Sequence, residues 1–300
     1  ATESGSQSVS ITITENESAP VITMLASQAS AAENSGTEVT LTLTTSQIAD
    51  ENIVVSLSAS GTISSSDYVS TSLSPSTVTI SAGSTTGTVS ATASDDSIYE
   101  GNESSTVSIS GVSGGGATES GNQSITFTIV ENEAAPVITL TTSHTTVAEN
   151  SGTTVTLTAT ASQAADEDIT VTLASTGTAI NGTDYSSFGG QTITIAANST
   201  TGTITGTPTD DSMYEGDEVA TISISGVSGI DATESGTQSV SIAITENELA
   251  PIVTLTASAT SIAENSGSPI TFTLALEIPA GGTQTTTSED VIVQIGNSVS

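Results

Sequence analysis

Lysine and arginine are absent from this 300-residue sequence, which carries 33 aspartates and glutamates and a formal charge of −33. Nucleic acids and anionic membrane surfaces are bound through basic patches, so both classes of partner are excluded. The same absence leaves the carboxylates with no basic side chain to neutralise them. The balancing charge must therefore come from outside the chain.

Cysteine, tryptophan and long apolar runs are missing as well. Without cysteine the fold cannot rest on disulfides, so its stability must come from packing, hydrogen bonds or bound metal. No apolar run approaches 18 residues, which predicts no membrane insertion within this segment. Hydrophobic residues still form 34% of the chain, in a regular pattern that a disordered chain of the same charge would lack.

One long segment occurs three times. ATESGSQSVSITITENESAPVIT at 1–23 returns, with few changes, at 117–139 and 232–254. Shorter anchors repeat in the same register, with AENSG at 32–36, 148–152 and 263–267, and TTGT at 85–88 and 200–203. The period of about 115 residues is the length of a domain rather than of a solenoid repeat.

This register predicts a window on a longer tandem array. Residues 1–17 correspond to the last strand of a preceding repeat, 18–133 and 134–248 to two complete repeats, and 249–300 to an incomplete third. The expected partners of each repeat are its neighbours in the same chain, and lateral assembly of copies into fibres is a further possibility.

Within each repeat, apolar and polar residues alternate. In the first repeat the pattern predicts seven strands, A to G, at about 20–26, 38–45, 52–59, 72–81, 86–94, 104–110 and 123–130. Alternating β-branched residues between Gly-, Ser-, Asn- and Asp-rich turns are typical of half-buried antiparallel strands. Seven such strands in about 115 residues predict an all-β fold of tandem immunoglobulin-like two-sheet β-sandwiches.

The acids are clustered in sequence, and strand order brings the clusters together. If each strand runs opposite to the one before it, the A–B, C–D and E–F connections and the end of G share one pole. The first repeat places eight acids there: Glu33, Asp67, Asp95, Asp96, Glu100, Glu103, Glu131 and Glu133. The second repeat places Glu149, Asp184, Asp210, Asp211, Glu215, Glu218, Glu246 and Glu248 at the equivalent positions.

Such a cluster calls for bound cations. Two like charges 4 Å apart repel by roughly 1 kcal/mol in water and about 4 kcal/mol at an effective dielectric of 20. Ca²⁺ accepts six to eight oxygen ligands in irregular geometry, whereas zinc and copper prefer histidine or cysteine. Because eight acids exceed the needs of one ion, two or more Ca²⁺ per complete repeat are expected.

The motifs together resemble the Calx-beta domain. They are D-D-x-x-x-E-x-x-E at 95–103, preceded by A-E-N-x-G, D-Y and T-T-G-T, and followed by a strand that ends in E-N-E. The resemblance implies an immunoglobulin-like sandwich that binds several calcium ions at one pole, through the acids named above. It also implies that the carbonyls of Ile98 and Met213 are further ligands. Glu131 and Glu246 stand where the family commonly has Asp, so their role as ligands is the least secure.

Acids also occupy the opposite pole of each predicted sandwich. Asp50 and Glu51 lie in the B–C turn of the first repeat, and Asp166, Glu167 and Asp168 in that of the second. We therefore expect calcium, helped by Asp166 or Asp168 of the following domain, to lock neighbouring repeats together. Pro136 and Pro251 should stiffen the short linkers.

These observations predict a calcium-stiffened stalk or filament body of a large extracellular or cell-surface, adhesin-like protein. One alternative is a calcium-sensing regulatory domain pair, and another is a repeat that itself binds glycans or cells. No enzymatic activity is expected. The paired acids recur in every repeat and no tryptophan stacks a sugar, while His144, the single histidine, has no equivalent in the other repeats. The matched tyrosines Tyr68, Tyr99, Tyr185 and Tyr214 are expected to pack beside the acidic pole.

Overall fold

The computed structural model describes residues 1–2, 4–69, 77–188, 190–279 and 290–296. The chain forms two compact units. The first comprises Ala1–Asp96 and Gly101–Asn132, and the second comprises Ser97–Glu100 and Glu133–Ser300. No helix among the described residues is both long enough and apolar enough to cross a bilayer.

The first unit is a sandwich of two sheets. Its strands are β1 (Val21–Ala26), β2 (Ser30–Ala32), β3 (Glu38–Thr45), β4 (Ile53–Gly61), β5 (Thr77–Ile80), β6 (Thr86–Thr92), β7 (Glu103–Ser113), β8 (Thr118–Glu119) and β9 (Ser124–Val130). One sheet has the order β6-β3-β1-β8 and the other β2-β9-β7-β4-β5. A 3₁₀ turn, Glu33–Ser35, follows β2.

The second unit repeats this plan. Its strands are β10 (Val137–Thr142), β11 (Thr146–Ala148), β12 (Val155–Ala161), β13 (Ile169–Gly177), β14 (Thr192–Ile195), β15 (Thr201–Gly206), β16 (Glu218–Ser228), β17 (Thr233–Glu234) and β18 (Ser239–Thr245). The sheet orders are β15-β12-β10-β17 and β11-β18-β16-β13-β14. Beyond them, β19 (Ile252–Ala257) and β20 (Phe272–Glu277) pair antiparallel.

Alternation builds the core of each sandwich. In β3, Val39, Leu41 and Leu43 are buried, while the threonines between them point outward. The equivalent strand β12 buries Val155, Leu157 and its alanines in the same way. Because successive side chains of a strand point to opposite faces, one sequence pattern fills the space between the sheets and leaves hydroxyls at the surface.

The predicted two-sheet sandwich is confirmed, with differences in detail. Predicted strand D is observed only as Thr77–Ile80, and residues 72–76 of that prediction lie outside the described residues. Strand F runs three residues further than predicted, to Ser113, past a register shift in its pairing with β4. Four short strands were not predicted: β2 and β11 run parallel to β9 and β18, and β8 and β17 run parallel to β1 and β10. Segments of two or three residues are too short to show a period of two.

The glycine of the repeated TTGT motif lies where the two sheets meet. A Cβ atom on Gly202 would lie 2.8 Å from Ile193 Cγ2 and would also overlap the Thr194 carbonyl of β14. Gly87 is similarly crowded, with the Thr79 carbonyl oxygen 2.9 Å from a Cβ at that position. The motif therefore reflects close packing of the strand against its neighbour.

We predict that Gly202→Ala destabilises the fold by about 2 kcal/mol, because overpacking forces the backbone of β14 to move. Chemical denaturation followed by circular dichroism measures this loss. Gly226→Ala is the matched control, since a Cβ there meets no atom within 4 Å. Equal effects of the two substitutions would contradict the packing explanation.

Candidate metal centre

The AENSG motif places one buried carboxylate at the acidic pole. In the second unit Glu149 begins the 3₁₀ turn Glu149–Ser151, which ends at Gly152 with a left-handed φ of 60°. Glu149 is only 7% exposed. Glu33 and Gly36 repeat this geometry in the first unit. The glycine is required because the turn ends in a conformation that side chains disfavour.

The D-Y motif buries a second carboxylate. Asp184 is 7% exposed, and its Oδ2 accepts a hydrogen bond of 2.6 Å from the Ile180 amide. The next residue, Tyr185, is buried and stacks on Phe188 with ring centroids 5.6 Å apart. The aromatic pair thus anchors the loop that presents Asp184. In the first unit, Asp67 is likewise buried and accepts a hydrogen bond from the Ser64 amide.

The end of β18 contributes Glu246, whose carboxylate gathers four backbone amides. Its Oε2 accepts from Glu215 at 2.6 Å and Gly216 at 2.9 Å, and its Oε1 accepts from Asn247 and Glu248, each at 2.9 Å. These bonds tie the loop between β15 and β16 to the end of β18. Glu246 therefore organises the pole as well as adding charge to it.

Three groups of carboxylates meet at the pole of the second unit. Within each group the oxygens lie within 4.8 Å of one another, and the groups are Glu149/Asp211/Glu215, Glu149/Glu246/Glu248 and Asp184/Glu215/Glu218. Glu149 and Glu215 each belong to two groups, so the three groups are continuous. The predicted convergence of four connections on one pole is therefore observed, and each group could hold a metal ion.

The first unit carries the same arrangement in its own residues. Oxygens of Glu33 and Glu131 lie within 4.8 Å of each other, as do those of Asp67 and Glu103. The Oε2 of Glu131 accepts a hydrogen bond of 3.0 Å from the Gly101 amide, as Glu246 does from Gly216. Ile98, Glu100 and Glu133 fall in segments of the second unit, and their role as ligands stays a prediction.

Some predicted ligands lie outside these groups. Asp95, Asp96 and Asp210 are exposed, although Asp210 lies near enough to Glu248 to raise its pKa. The amide of Met213 donates to Asp211 Oδ1 at 2.6 Å, which shapes the loop without testing the predicted role of its carbonyl. No group of three carboxylates in the described residues includes Asp166 or Asp168. Asp168 instead accepts from the Ala197 amide at 2.8 Å.

One supporting position, Asn102 in the first repeat and Asp217 in the second, was not predicted from the sequence. The amide of Glu246 donates to Asp217 Oδ1 at 3.0 Å, and the amide of Glu131 donates to Asn102 Oδ1 at the same distance. These side chains hold the glutamates that gather the loop amides. The sequence signal that could have indicated this position is a polar residue, Asn102 or Asp217, two places after the repeated Tyr-Glu pair.

Of the four matched tyrosines, Tyr185 packs beside the acidic pole in the core, Tyr68 is partly buried next to Asp67, and Tyr214 is partly buried in the loop that carries Glu215. Burial, with the Asp67 and Glu103 charges, raises the pKa of Tyr68 to about 12. Tyr99, in the Ser97–Glu100 segment of the second unit, instead contacts turns of that same unit. His144 is exposed, as expected for a surface residue, and its Nδ1 lies 2.9 Å from the Ser143 hydroxyl.

Crowding shifts the proton affinity of the second cluster. Burial raises the pKa of Glu149 to about 7 against a usual value of 4.5, and the charges of Glu246, Glu248 and Asp211 add to the shift. Burial and the nearby Asp184 raise the pKa of Glu218 to about 7. A hydrogen bond to Glu246 and burial do the same for Glu248. For Glu246, burial acts upward, but the amides of Glu248, Glu215 and Gly216 lower the pKa to about 2.

The donor set fits a hard cation. Every side-chain atom that could bind a metal in these groups is a carboxylate oxygen. The Oε2 of Glu248 is buried and receives no hydrogen bond from the described residues. A buried carboxylate oxygen without a donor is costly unless it is protonated or bound to a cation.

Comparison with known families agrees with the motifs. Residues 131–248 match the family model of the Calx-beta domain, which confirms the resemblance seen in the sequence motifs. Residues 20–132 match the family model of the LapA domain. Together the two matches cover residues 20–248. No curated protein matches the sequence.

The solved structures that match parts of this chain include two CBD12 structures and a bacterial adhesin. CBD12 from CALX1.2 is 16% identical, with 75% of this chain and 100% of that chain covered and a TM-score of 0.33. The calcium-binding domain CBD12 of CALX1.1 is 13% identical, with 71% and 95% covered and a TM-score of 0.32. The Yersinia pseudotuberculosis adhesin InvE is 15% identical, with 79% and 65% covered and a TM-score of 0.33.

We predict that the metal-free chain loses thermal stability as pH rises from about 4.5 to about 7. The folded state keeps protons on Glu149, Glu218 and Glu248 that the unfolded chain has already released, so stability is present at low pH and lost through the folded pKa. Glu246 is ionised in the folded state over this range, and the unfolded chain ionises it near pH 4.5, so its opposite contribution is confined to the low end of the interval. Calorimetry in chelator measures the trend, and a midpoint that rises over this interval would contradict it.

Proposed function

We propose that these repeats bind calcium at their acidic poles and form the stalk or filament body of an extracellular, cell-surface adhesin-like protein. The observation that carries the proposal is the continuous set of three carboxylate groups in the second unit, in a chain with no lysine or arginine. The conclusion is structural, and no reaction is assigned to the protein.

The sharing of residues between groups supports more than one ion. Glu149 joins two groups and Glu215 joins two, so a single ion in the middle would leave the outer carboxylates uncompensated. Adjacent ions that share these bridging carboxylates as ligands would distribute positive charge throughout the cluster. Two or more Ca²⁺ per complete repeat therefore fit this pole, as the number of acids also indicates.

Calcium suits the cluster better than the other common cations. Its irregular shell of six to eight oxygens can be completed by carboxylates, carbonyls and water, whereas Mg²⁺ requires a tight octahedron and keeps its waters. Zinc and copper favour histidine or cysteine, and the chain has no cysteine and a single, exposed histidine.

The stalk follows from repetition of such sites. External calcium is millimolar, which suits weak sites with dissociation constants of about 10⁻⁴–10⁻³ M. Filled sites cancel repulsion at each pole, and we infer that they also limit bending between consecutive repeats. Near-identical repeats favour this role over sensing, because a sensor would more often diversify its domains.

Isothermal titration of the full chain with calcium, together with small-angle scattering, tests the proposal. The expected result is binding in the range of about 10⁻⁴–10⁻³ M and a longer, straighter particle when the sites are filled. Binding at about 10⁻⁷–10⁻⁵ M would favour the sensing alternative. Absence of binding would refute the calcium proposal.

A second prediction concerns the shared ligand Glu149. We expect Glu149→Gln to weaken calcium binding by the second unit by at least about 10–100-fold, because that range is found for residues that only hold a ligand in place, and a direct ligand should matter more. The same substitution should raise the melting temperature of the metal-free chain, because it removes a charge from a crowded site. These opposite effects separate loss of a ligand from a general folding defect.

Glu167→Gln is the matched control for this experiment. It removes one negative charge from an exposed turn and belongs to none of the carboxylate groups in the described residues. It should leave both calcium affinity and metal-free stability nearly unchanged. Equal losses of affinity in the two variants would mean that net charge, rather than the cluster, attracts calcium.

A further inference from the structure

Tyr99 lies outside the core of either sandwich, yet it is buried and hydrogen-bonded through both its backbone and its side chain. It is 8% exposed and belongs to Ser97–Glu100, within the second unit. Its amide donates to the Ala164 carbonyl at 2.9 Å, and its carbonyl accepts from the Asp166 amide at 3.2 Å. Its hydroxyl donates to Asp231 Oδ2 at 3.2 Å. Backbone and side chain are both engaged, so this is a specific docked conformation.

Two turns of the second unit build the receiving surface, which we call the tyrosine socket. The first is the turn at Ala164–Asp166, where the Ala165 carbonyl accepts from the Asn198 amide at 2.6 Å. The second is the turn at Ile230 and Asp231, whose φ values of 29° and 56° are positive. Both turns are part of the sandwich framework.

The first unit has an equivalent socket. Ile48, Ala49 and Asp50 occupy the positions of Ala164, Ala165 and Asp166, and the Ala49 carbonyl accepts from the Gly83 amide at 2.9 Å. Gly115 and Gly116 stand at the positions of Ile230 and Asp231, with φ values of 54° and 64°.

In the first unit the socket opens into a cavity of about 470 Å³. Ile48, Ala49, Asp50, Gly115 and Gly116 line it, and Ile48 is 64% exposed. A cavity of this size can accommodate a tyrosine side chain with part of its loop.

The remaining wall of the cavity indicates which tyrosine fits. Glu15 and Glu17 line it, and they are the equivalents of Glu131 and Glu133, which end the repeat that carries Tyr99. The segment before them has the alternating sequence of a strand, yet its apolar side chains are exposed, with Val9 88%, Ile11 84% and Ile13 92% exposed. Their equivalents Phe127 and Ile129 are each only 4% exposed, inside a complete sandwich.

We propose that residues 1–17 complete a sandwich of a repeat joined ahead of them, and that this repeat docks the tyrosine of its D-D-x-x-Y-E-G loop into the socket at Ile48–Asp50 and Gly115–Gly116. The occupant is thus another repeat of the same kind in the same chain. Such a contact would join successive repeats through a side chain, in addition to any calcium bound at the poles.

The first socket differs from the second in one contact. Gly116 replaces Asp231, so the tyrosine hydroxyl loses its carboxylate acceptor, while the backbone contacts to positions 48 and 50 are kept. The acids of the docking D-D-x-x-Y-E-G loop would also face Glu15, Glu17 and Asp50. Charge at this junction is screened by salt or neutralised by a bound cation, and the test separates these two conditions.

The test uses an extended chain in which a copy of residues 18–116 is joined ahead of Ala1, which reproduces the natural join between Gly116 and Ala117. Amide hydrogen exchange is followed at Asp50, with Asp166 as the internal reference for an occupied socket. We expect exchange at Asp50 to slow at least about tenfold relative to the unextended chain. Tyr99→Ala in the added copy alone should remove this protection, whereas Tyr99→Phe should keep it.

Two results would overturn the proposal. If the amides of Val9, Ile11 and Ile13 become protected while Asp50 exchanges as before, the added repeat has folded without docking. If those three amides stay unprotected, residues 1–17 do not complete a repeat. Each measurement is made in excess calcium and again in chelator with added salt. Protection of Asp50 in either condition supports docking. A chain that docks without binding calcium would still protect Asp50 in chelator with added salt, which distinguishes failure of calcium binding from failure of docking.

Discussion

Repulsion between carboxylates is the constraint on which the rest of this structure depends. The chain carries 33 acids and no basic side chain, and its fold brings many of these acids to one end of each sandwich. In an ordinary protein, lysines and arginines would offset such a cluster. Here compensation can come only from protons, backbone amides or bound cations. The raised pKa values of Glu149, Glu218 and Glu248 are the signature of this constraint in the metal-free state.

Backbone amides solve one part of the problem. Glu246 receives four of them and has a lowered pKa, so it remains ionised and fixes the loop that carries Glu215. The neighbouring acids have fewer donors and are left to protons or cations. The pole thus combines a rigid, amide-bound carboxylate with several that are available to a metal. For the calcium binding proposed above, this division would mean that the site is ordered before an ion binds, which would lower the cost of ordering it on binding.

Much of this arrangement could be predicted from the sequence, because it follows from alternation and strand direction. Strands with clear alternation, such as Glu38–Thr45, were located well, and antiparallel order was sufficient to place Glu149, Asp184 and Glu246 at one end. Other features depend on tertiary contacts that have no period. The three-residue strand β2 is defined only by its pairing with β9, and the amide contacts of Glu246 depend on the folded loop. The contacts of Tyr99 with Ala164 and Asp231 join residues far apart in sequence, so no local pattern could indicate them.

Thermal unfolding of the full chain in calcium, magnesium and sodium at matched ionic strength, each against chelator, tests the central claim most directly. If calcium is the missing counter-charge, it should raise the melting temperature well above the effect of the other two salts. When the free calcium concentration is 100 times the dissociation constant of a site, binding at that site adds about 2.7 kcal/mol to the free energy of unfolding. A midpoint that is the same in calcium and in sodium would show that general screening suffices, and would contradict the account.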